Sequence, residues 1–513
     1  MIKHRLASRK LLAIAAAGVA LSVGLAACGG DSGDGNDPGS SGTTANVRVL
    51  LNAQPSTLDP IVGSRSNQVV WGTIIEPLVN TQEDLEPGKD GIITDWERTD
   101  PTSWTFTVRE GIKFSNGEAA DAAAVANTIL LNRDSDTAIL KSYFANVTSV
   151  EATDATHFVV KTKLPQYDIP NLMGTVYLLP PKYYKEKGSE GFSAAPIGTG
   201  PYLFDSSQAG RDIVVKQNPD YWGDKAQNKK ITFTWSTEPS QRLALLQSQG
   251  ADVALDLAPA AVDQAKSTGL NVTSTETAMK IIAFLQTDKA PLTDPTLREA
   301  IALAISRDEI VSGIFDGKAV ADGGLLNVKP GTQPKESVQA DPTKAKQLVG
   351  TLSSKSTIPI AYPAGQYTNI KEVAEAVGGS LEAAGLTVKY TPVDYGTLVQ
   401  RVVGRQINGI YIFAGVPNVA VPDFFASGFI KSQSITANCP DPKTDAMVAK
   451  ALEQDSVEQA DAIYDELNTI TVVQKHCYVP LYRQIYNFGT GSKVKGVGYN
   501  PLNAWDWSKT TIG

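Results

Sequence analysis

Histidine is the side chain best suited to proton transfer near neutral pH, and the 513-residue chain has three. His4 lies in a basic N-terminal stretch. His157 belongs to His157-Phe158-Val159-Val160-Lys161, a strand pattern in which it reads as a half-exposed packing residue. His476 adjoins Cys477, which would allow a Cys–His nucleophile, but a structural pairing of that cysteine is the stronger reading. There is no His-Glu-x-x-His, no clustered Cys/His set and no P-loop. Gly198-Thr199-Gly200 lacks the third glycine of a dinucleotide loop and runs into Pro201. No Gly-x-Ser-x-Gly elbow occurs, and the carboxylates are scattered without a pair set apart by spacing. The chemistry on offer is binding: no enzyme is expected, and no cofactor or metal.

The N-terminus says where the binding happens. Lys3, Arg5, Arg9 and Lys10 precede an apolar run, Leu11 to Ala27, which ends at Leu25-Ala26-Ala27-Cys28. A basic stretch, an apolar run too short for a comfortable membrane span and small residues at its end read as an export signal over 1–27. The residues before Cys28 resemble a bacterial lipobox, which implies a diacylglycerol on Cys28 and a chain held on the outer face of the cell membrane. Residues 28–45, rich in Gly, Ser and Asp, read as a flexible tether of roughly 20 Å. Loss of the signal shifts the formal charge from −8 to −12, which argues against nucleic acid as a partner. Cys439 and Cys477 are then the only pair in an oxidising compartment and are expected to form a disulfide. Two free buried thiols are the alternative.

Positioning residues for binding takes a large α/β body. The remaining stretch of about 470 residues is enough for two or three compact units. Val47 to Leu51, Trp104 to Val108, Ile213 to Lys216 and Ile231 to Trp235 read as strands, and Asp121 to Asn132 as a helix with an acidic start. Further on, Leu297 to Ile305 is helical. The order Thr357–Tyr362 strand, Ile370–Ala384 helix, Leu386–Tyr390 strand, Tyr395–Val403 helix and Gly409–Phe413 strand predicts a parallel sheet covered by helices. A long helix is expected over Val457–Val473 and a strand over Tyr478–Tyr486. The last segment, with Trp505 and Trp507, should pack back on the first unit.

Six segments in order resemble the peptide/nickel family (family 5) of extracellular solute-binding proteins of ABC importers. They are Ser56-Thr-Leu-Asp-Pro60, the Trp104–Glu118 segment, Pro196-Ile-Gly-Thr-Gly-Pro-Tyr202, Gln217-Asn-Pro-Asp-Tyr-Trp-Gly223, Leu243–Asp252 and Pro291–Arg307. Each also has a plain structural use. Gly198 and Gly200 would allow positive φ in a tight loop, and Asn116-Gly117 is a hairpin pair. The resemblance implies a two-lobed type II periplasmic-binding-protein-like fold with an extra subdomain in lobe I. It places lobe I at 46–60, 190–285 and 488–513, the accessory subdomain at 61–189 and lobe II at 286–487. It further implies a monomer that delivers its solute to an ABC permease and ATPase complex.

In peptide-binding members of that family, a second-lobe stretch reads approximately W-x-a-D-Y-x-d-P, and its Asp pairs with the peptide α-ammonium. If Pro422 takes the Pro position, Gly415 stands for the Trp and Asn418 for the Asp. An amide cannot balance a buried ammonium, so a free-amine peptide is disfavoured, although Asp423 could substitute. Loss of the Trp would make room for a bulkier solute. The other residues implied near the ligand are Gln54, Pro55, Tyr143, Tyr411, Phe413, Ala414, Tyr482 and Tyr486, with core packing as the alternative for each aromatic. A cleft lined by them would suit a peptide, a modified peptide or another small organic solute. Two other classes stay open: an envelope regulatory or scaffold lipoprotein that keeps the fold without transport, and an envelope hydrolase.

Overall fold

The computed structural model describes residues 46–353, 356–434 and 436–513. The signal, the tether and Cys28 lie outside the described residues. No helix among the described residues is long and apolar enough to cross a membrane.

One sheet of eleven strands organises the body. Its spatial order is Thr387–Val393, Thr357–Pro363, Ile410–Gly415, Asn271–Leu285, Tyr478–Thr490, Val253–Ala254, Val47–Leu51, Lys230–Trp235, Asp212–Gln217 and Tyr202–Gln208, with Ala319–Ala321 added beside Tyr478–Thr490. Val47–Leu51 runs parallel to its neighbours Lys230–Trp235 and Val253–Ala254. Thr357–Pro363 likewise runs parallel to Thr387–Val393 and Ile410–Gly415. These parallel groups form the first and second halves of the sheet, and the second is the one the strand–helix order from Thr357 to Phe413 predicts. Only Asn271–Leu285 and Tyr478–Thr490 take part in both halves.

A separate four-stranded antiparallel sheet, Ile93–Asp100, Ser103–Val108, His157–Thr162 and Val147–Ala152, carries the helix Ala122–Asp134. Phe106 stacks on Phe158 at 4.9 Å, and the Asp121 carboxylate caps the helix by accepting the Ala124 N–H at 3.0 Å. The chain end returns to the first half. Trp507 is buried edge-on to Phe233, 6.1 Å between rings.

Most sequence-expected elements form within one or two residues of their limits. The long helix is an exception. Val457–Asn468 is α-helical, and Thr469–Gln474 then widens into a π-turn before the Cys477 N–H bonds Thr471 O at 2.9 Å. The Cys439 and Cys477 sulfurs are bonded. Gly198 and Gly200 are a second correction, because neither has positive φ. A Cβ at Gly198 would stand 2.0 Å from Ile74 O, and one at Gly200 would stand 2.7 Å from Thr73 O, so the glycines permit close approach of two backbones. Gly117, in the Asn-Gly pair, does have φ +86°.

The two crossing strands are antiparallel, and their register breaks between Glu276 and Lys280, where the first strand carries two extra residues. Buried charge holds this break. Lys280 Nζ donates to Gly324 O at 2.7 Å and to Asn327 Oδ1 at 2.6 Å, and pairs with Asp322 at 2.9 Å. Arg483 Nε bonds the same Asp322 at 2.6 Å, and its Nη1 reaches Lys329 O at 2.6 Å. Burial pulls Lys280 down to about 7 despite Asp322 beside it. Burial also acts to raise Asp322, but Lys280 and Arg483 outweigh it and hold the carboxylate below its ordinary range. Asp322 thus bonds two fully buried basic groups, and Glu276 stands 3.6 Å from Arg483 Nε as a second, longer partner. Asp322→Asn should lower the unfolding free energy by about 3–5 kcal/mol, read by urea denaturation, because it removes the carboxylate that Lys280 and Arg483 share and leaves only Glu276 beside them.

Candidate functional site

Ligands of open α/β sheets bind beyond the carboxyl ends of the parallel strands. In the first half those ends are Leu51, Trp235 and Ala254. Arg242 is buried on the helix Pro239–Gln247 and ties two of the ends together. It donates to Leu255 O at 3.0 Å, Asp256 O at 2.5 Å, Ser236 O at 2.8 Å and Thr237 O at 3.2 Å. Asn52 Nδ2 donates to the Asp256 carboxylate at 3.1 Å and ties in the third. In the second half, Tyr367, Tyr395 and Phe413 gather at the corresponding ends. Tyr395 stacks on Phe413 at 5.6 Å, and Tyr367 stands perpendicular to both. The Ala414 N–H donates to Tyr367 Oη at 3.4 Å. Tyr395 remains 40 % exposed and Val416 39 %, so this wall presents apolar surface to solvent.

Between the walls is a narrow pocket that opens to solvent. Asp256 and Leu257 line it from the first half, Phe315, Lys318 and Tyr367 from the second, and Tyr482 and Gln484 from the second crossing strand. Its aromatic side suits an apolar or planar group. Its two charged groups are already engaged, Asp256 with Asn52 and Arg242, and Lys318 with Asp263 at 2.9 Å and Asp316 at 3.2 Å. Among the described residues, no group of three or more His, Cys, Asp or Glu could hold a metal ion.

The sequence-expected residues divide. Tyr482 lines the pocket, its ring 4.7 Å from Phe315. Phe413 belongs to the aromatic wall, with Ala414 buried behind it. Gln54 is exposed and Pro55 half-buried on the loop after Val47–Leu51, and Asn418 is half-buried beyond Ile410–Gly415. Tyr411 instead faces the core. It stacks on Phe284 at 4.8 Å and accepts a bond from Asn438 Nδ2 at 2.7 Å. Tyr486 packs on Tyr499 at 5.1 Å, and Tyr143 on Phe424 at 4.8 Å. Asp423 is 5 % exposed and faces the Asp168 side of the four-stranded subdomain, away from the pocket. Gly415 does not open space for a bulkier solute, because a Cβ there would lie 2.4 Å from the Phe425 ring. Phe425 already fills that volume.

Tyr367, Tyr395 and Asp256 escaped the sequence reading. Each lies two to four residues past the end of a parallel strand, and that placement was the available signal. The motif residues have other partners. The buried Asp59 accepts from Tyr184 Oη at 2.8 Å, and Tyr221 Oη and Trp222 Nε1 both donate to Glu76, at 2.7 and 2.8 Å. Asn218 Nδ2 donates to Gly200 O at 2.9 Å.

Two strand-end walls with a pocket between them, joined by two crossing strands, define a type II periplasmic binding protein. The dipeptide binding protein from Pseudoalteromonas sp. SM9913, solved with Met-Leu, superimposes with a TM-score of 0.80 at 18 % identity, over 91 % of this chain and 100 % of that one. The sequence pattern of the bacterial extracellular solute-binding proteins, family 5 (middle) matches residues 89–436. The chain belongs to that family. It is 27 % identical over 480 residues to the probable D,D-dipeptide-binding periplasmic protein DdpA of Escherichia coli K12, covering 88 % of this chain and 90 % of the relative. The glutathione-binding protein GsiB of Salmonella paratyphi A is 25 % identical over 461 residues, 85 % and 88 % of the two chains. These relatives are binding proteins, not enzymes.

Gly415→Ala should cost about 1–3 kcal/mol by overpacking against Phe425, and Phe425→Leu in the same chain should recover part of it, read by thermal unfolding of both single variants and the double.

Proposed function

We propose that the chain is the lipid-anchored solute-binding component of an ABC importer. It is exported, held at the membrane by diacylglycerol on Cys28, and acts as a monomer without a cofactor. It takes a small organic solute or a short peptide into the pocket between the sheet halves and hands it to a permease and ATPase complex. Lobe I is 46–60, 190–285 and 488–513 with the accessory subdomain 61–189, lobe II is 286–487, and closure turns on the crossing strands. The observation that carries this reading is the pocket at Asp256, Tyr367 and Tyr482, where the carboxyl ends of both parallel groups face each other. Its ligand contacts are Gln54, Phe413, Asn418 and Tyr482 from the sequence reading, joined by Tyr367 and Tyr395. The names of two relatives, a D,D-dipeptide-binding and a glutathione-binding protein, keep modified or unusual peptides in view.

Native mass spectrometry of the purified chain, followed by denaturing release, tests the reading. The released solute appears as a discrete added mass, and the denatured chain from membranes carries the lipid. Tyr395→Ala should weaken rebinding of that solute by about tenfold with only a small drop in melting temperature, since the residue is 40 % exposed and packs on Phe413 by one face. A chain that retains nothing and shows no thermal shift with peptides or sugars would instead favour an envelope lipoprotein without transport.

Asn418→Asp should tighten binding of free-amine di- and tripeptides by about tenfold in titration calorimetry. Tight binding of such peptides by the unsubstituted chain would refute the role given to the amide.

A further inference from the structure

The four-stranded subdomain meets the second half of the sheet across a face that the pocket does not use. Tyr143 stacks on Phe424, Tyr167 Oη lies 3.2 Å from Tyr464 Oη, and Arg98 Nη1 donates to Gln454 O at 2.7 Å. Lys329 pairs with Glu86 at the rim. Two carboxyls are enclosed in the middle of this face. Asp168, 2 % exposed, precedes the helix Ile169–Met173 and accepts a bond from Gln166 Nε2 at 2.8 Å. Asp423 begins the helical turn that follows the Gly415–Pro422 loop, and its Oδ2 accepts from Ser427 Oγ at 2.8 Å. Asp423 Oδ1 is buried without a hydrogen-bond partner.

The surroundings offer little positive charge. Tyr167 and Tyr143 face the pair from the subdomain, Tyr464 from the helix Val457–Asn468, with Asp461 of the same helix acting on Tyr167, and Lys431 follows the turn that Asp423 begins. Lys431 is the one cation among them; the Ser427 and Tyr464 hydroxyls also favour an ionised Asp423, and burial with the charge of Asp168 outweighs all three. An unpartnered carboxylate oxygen in such a place is costly, whereas a carboxylic acid donates its proton and removes one charge. Burial raises both groups, and for Asp423 the charge of Asp168 adds to the rise.

We propose that Asp168 and Asp423 are a proton-holding contact between the subdomain and the second half, and that closing the binding protein takes up a proton there. The inference rests on the solute-capture reading for its open and closed states. In the open state both carboxyls meet water and ionise in the ordinary carboxylate range. In the closed state the pair keeps a proton taken from solvent. The contact therefore stabilises closure fully at low pH, and that contribution is lost as pH rises toward the raised value of the pair. Each proton taken up changes the closed-to-open ratio by at most about tenfold per pH unit.

The test is small-angle X-ray scattering of the purified full chain without added solute, between about pH 5.5 and about pH 8.5, a window above the ordinary carboxylate range. The radius of gyration of the unsubstituted chain should increase with pH, and that of Asp423→Asn should stay at the smaller value throughout. Asp168→Asn is the second variant and should flatten the response in the same way, with circular dichroism reporting that each variant is folded. A radius independent of pH in the unsubstituted chain, or an equal increase in the folded variants, overturns the proposal. Because no solute enters the measurement, that failure leaves solute capture standing. A chain that expands with pH yet never retains a solute counts against solute capture alone.

Discussion

Everything in this fold depends on how two strands are held where they pass between the halves of the sheet. Asn271–Leu285 and Tyr478–Thr490 are the shared strands, and their register breaks in the middle. A bulge leaves backbone groups without their ladder partners, so the turn needs other support. It comes from Lys280, Asp322 and Arg483, which gather the loop from Asp322 to Thr332 around the break through carbonyl and carboxylate bonds. Ala278, inside the bulge, sends its N–H to Pro501 O at 3.1 Å, which brings the C-terminal segment into the same support. A fully apolar junction would supply none of these directional bonds. The charged one fixes where the chain bends.

The walls of the pocket follow from that junction. Parallel strands leave their carboxyl ends on one edge, and the crossing strands bring two such edges face to face. On one edge a buried arginine, Arg242, pulls the loops together by their carbonyls. On the other the task falls to aromatic rings, Tyr367 against Tyr395 and Phe413. The two walls thus differ in kind, one polar and braced, the other apolar and partly exposed.

The sequence made the scaffold legible and the pocket only in part. Alternation in Ser103–Val108, the capped helix Ala122–Asp134 and the strand–helix order from Thr357 to Gly415 follow from local periodicity, and local periodicity survived folding. Tyr482 and Phe413 are legible because they belong to strands with a place in the family. Tyr411 shares its strand face with Phe413 but lies two residues deeper, where it meets Phe284, and Tyr143, in a turn, stacks on Phe424 from the other side of the chain. Gly415 reads as space in the sequence, and Phe425, ten residues on, occupies it. Such compensation between distant side chains leaves no periodic trace. Asp423 stands in the sequence where a ligand group could be, yet its environment is set by Asp168 and Tyr464, residues far from it along the chain.

The residues that mark the family bond to the frame around them. Asp59 pairs with Tyr184, Tyr221 and Trp222 with Glu76, and Asn218 with the Gly200 carbonyl, all within the first half of the chain, and none of them lines the pocket. Kinship and the pocket are therefore written in different atoms. Tyr367 or Gln484 could be exchanged while the signature of the family stays intact. The same division means that a new set of strand-end side chains could be grafted onto this frame without having to reinvent the fold.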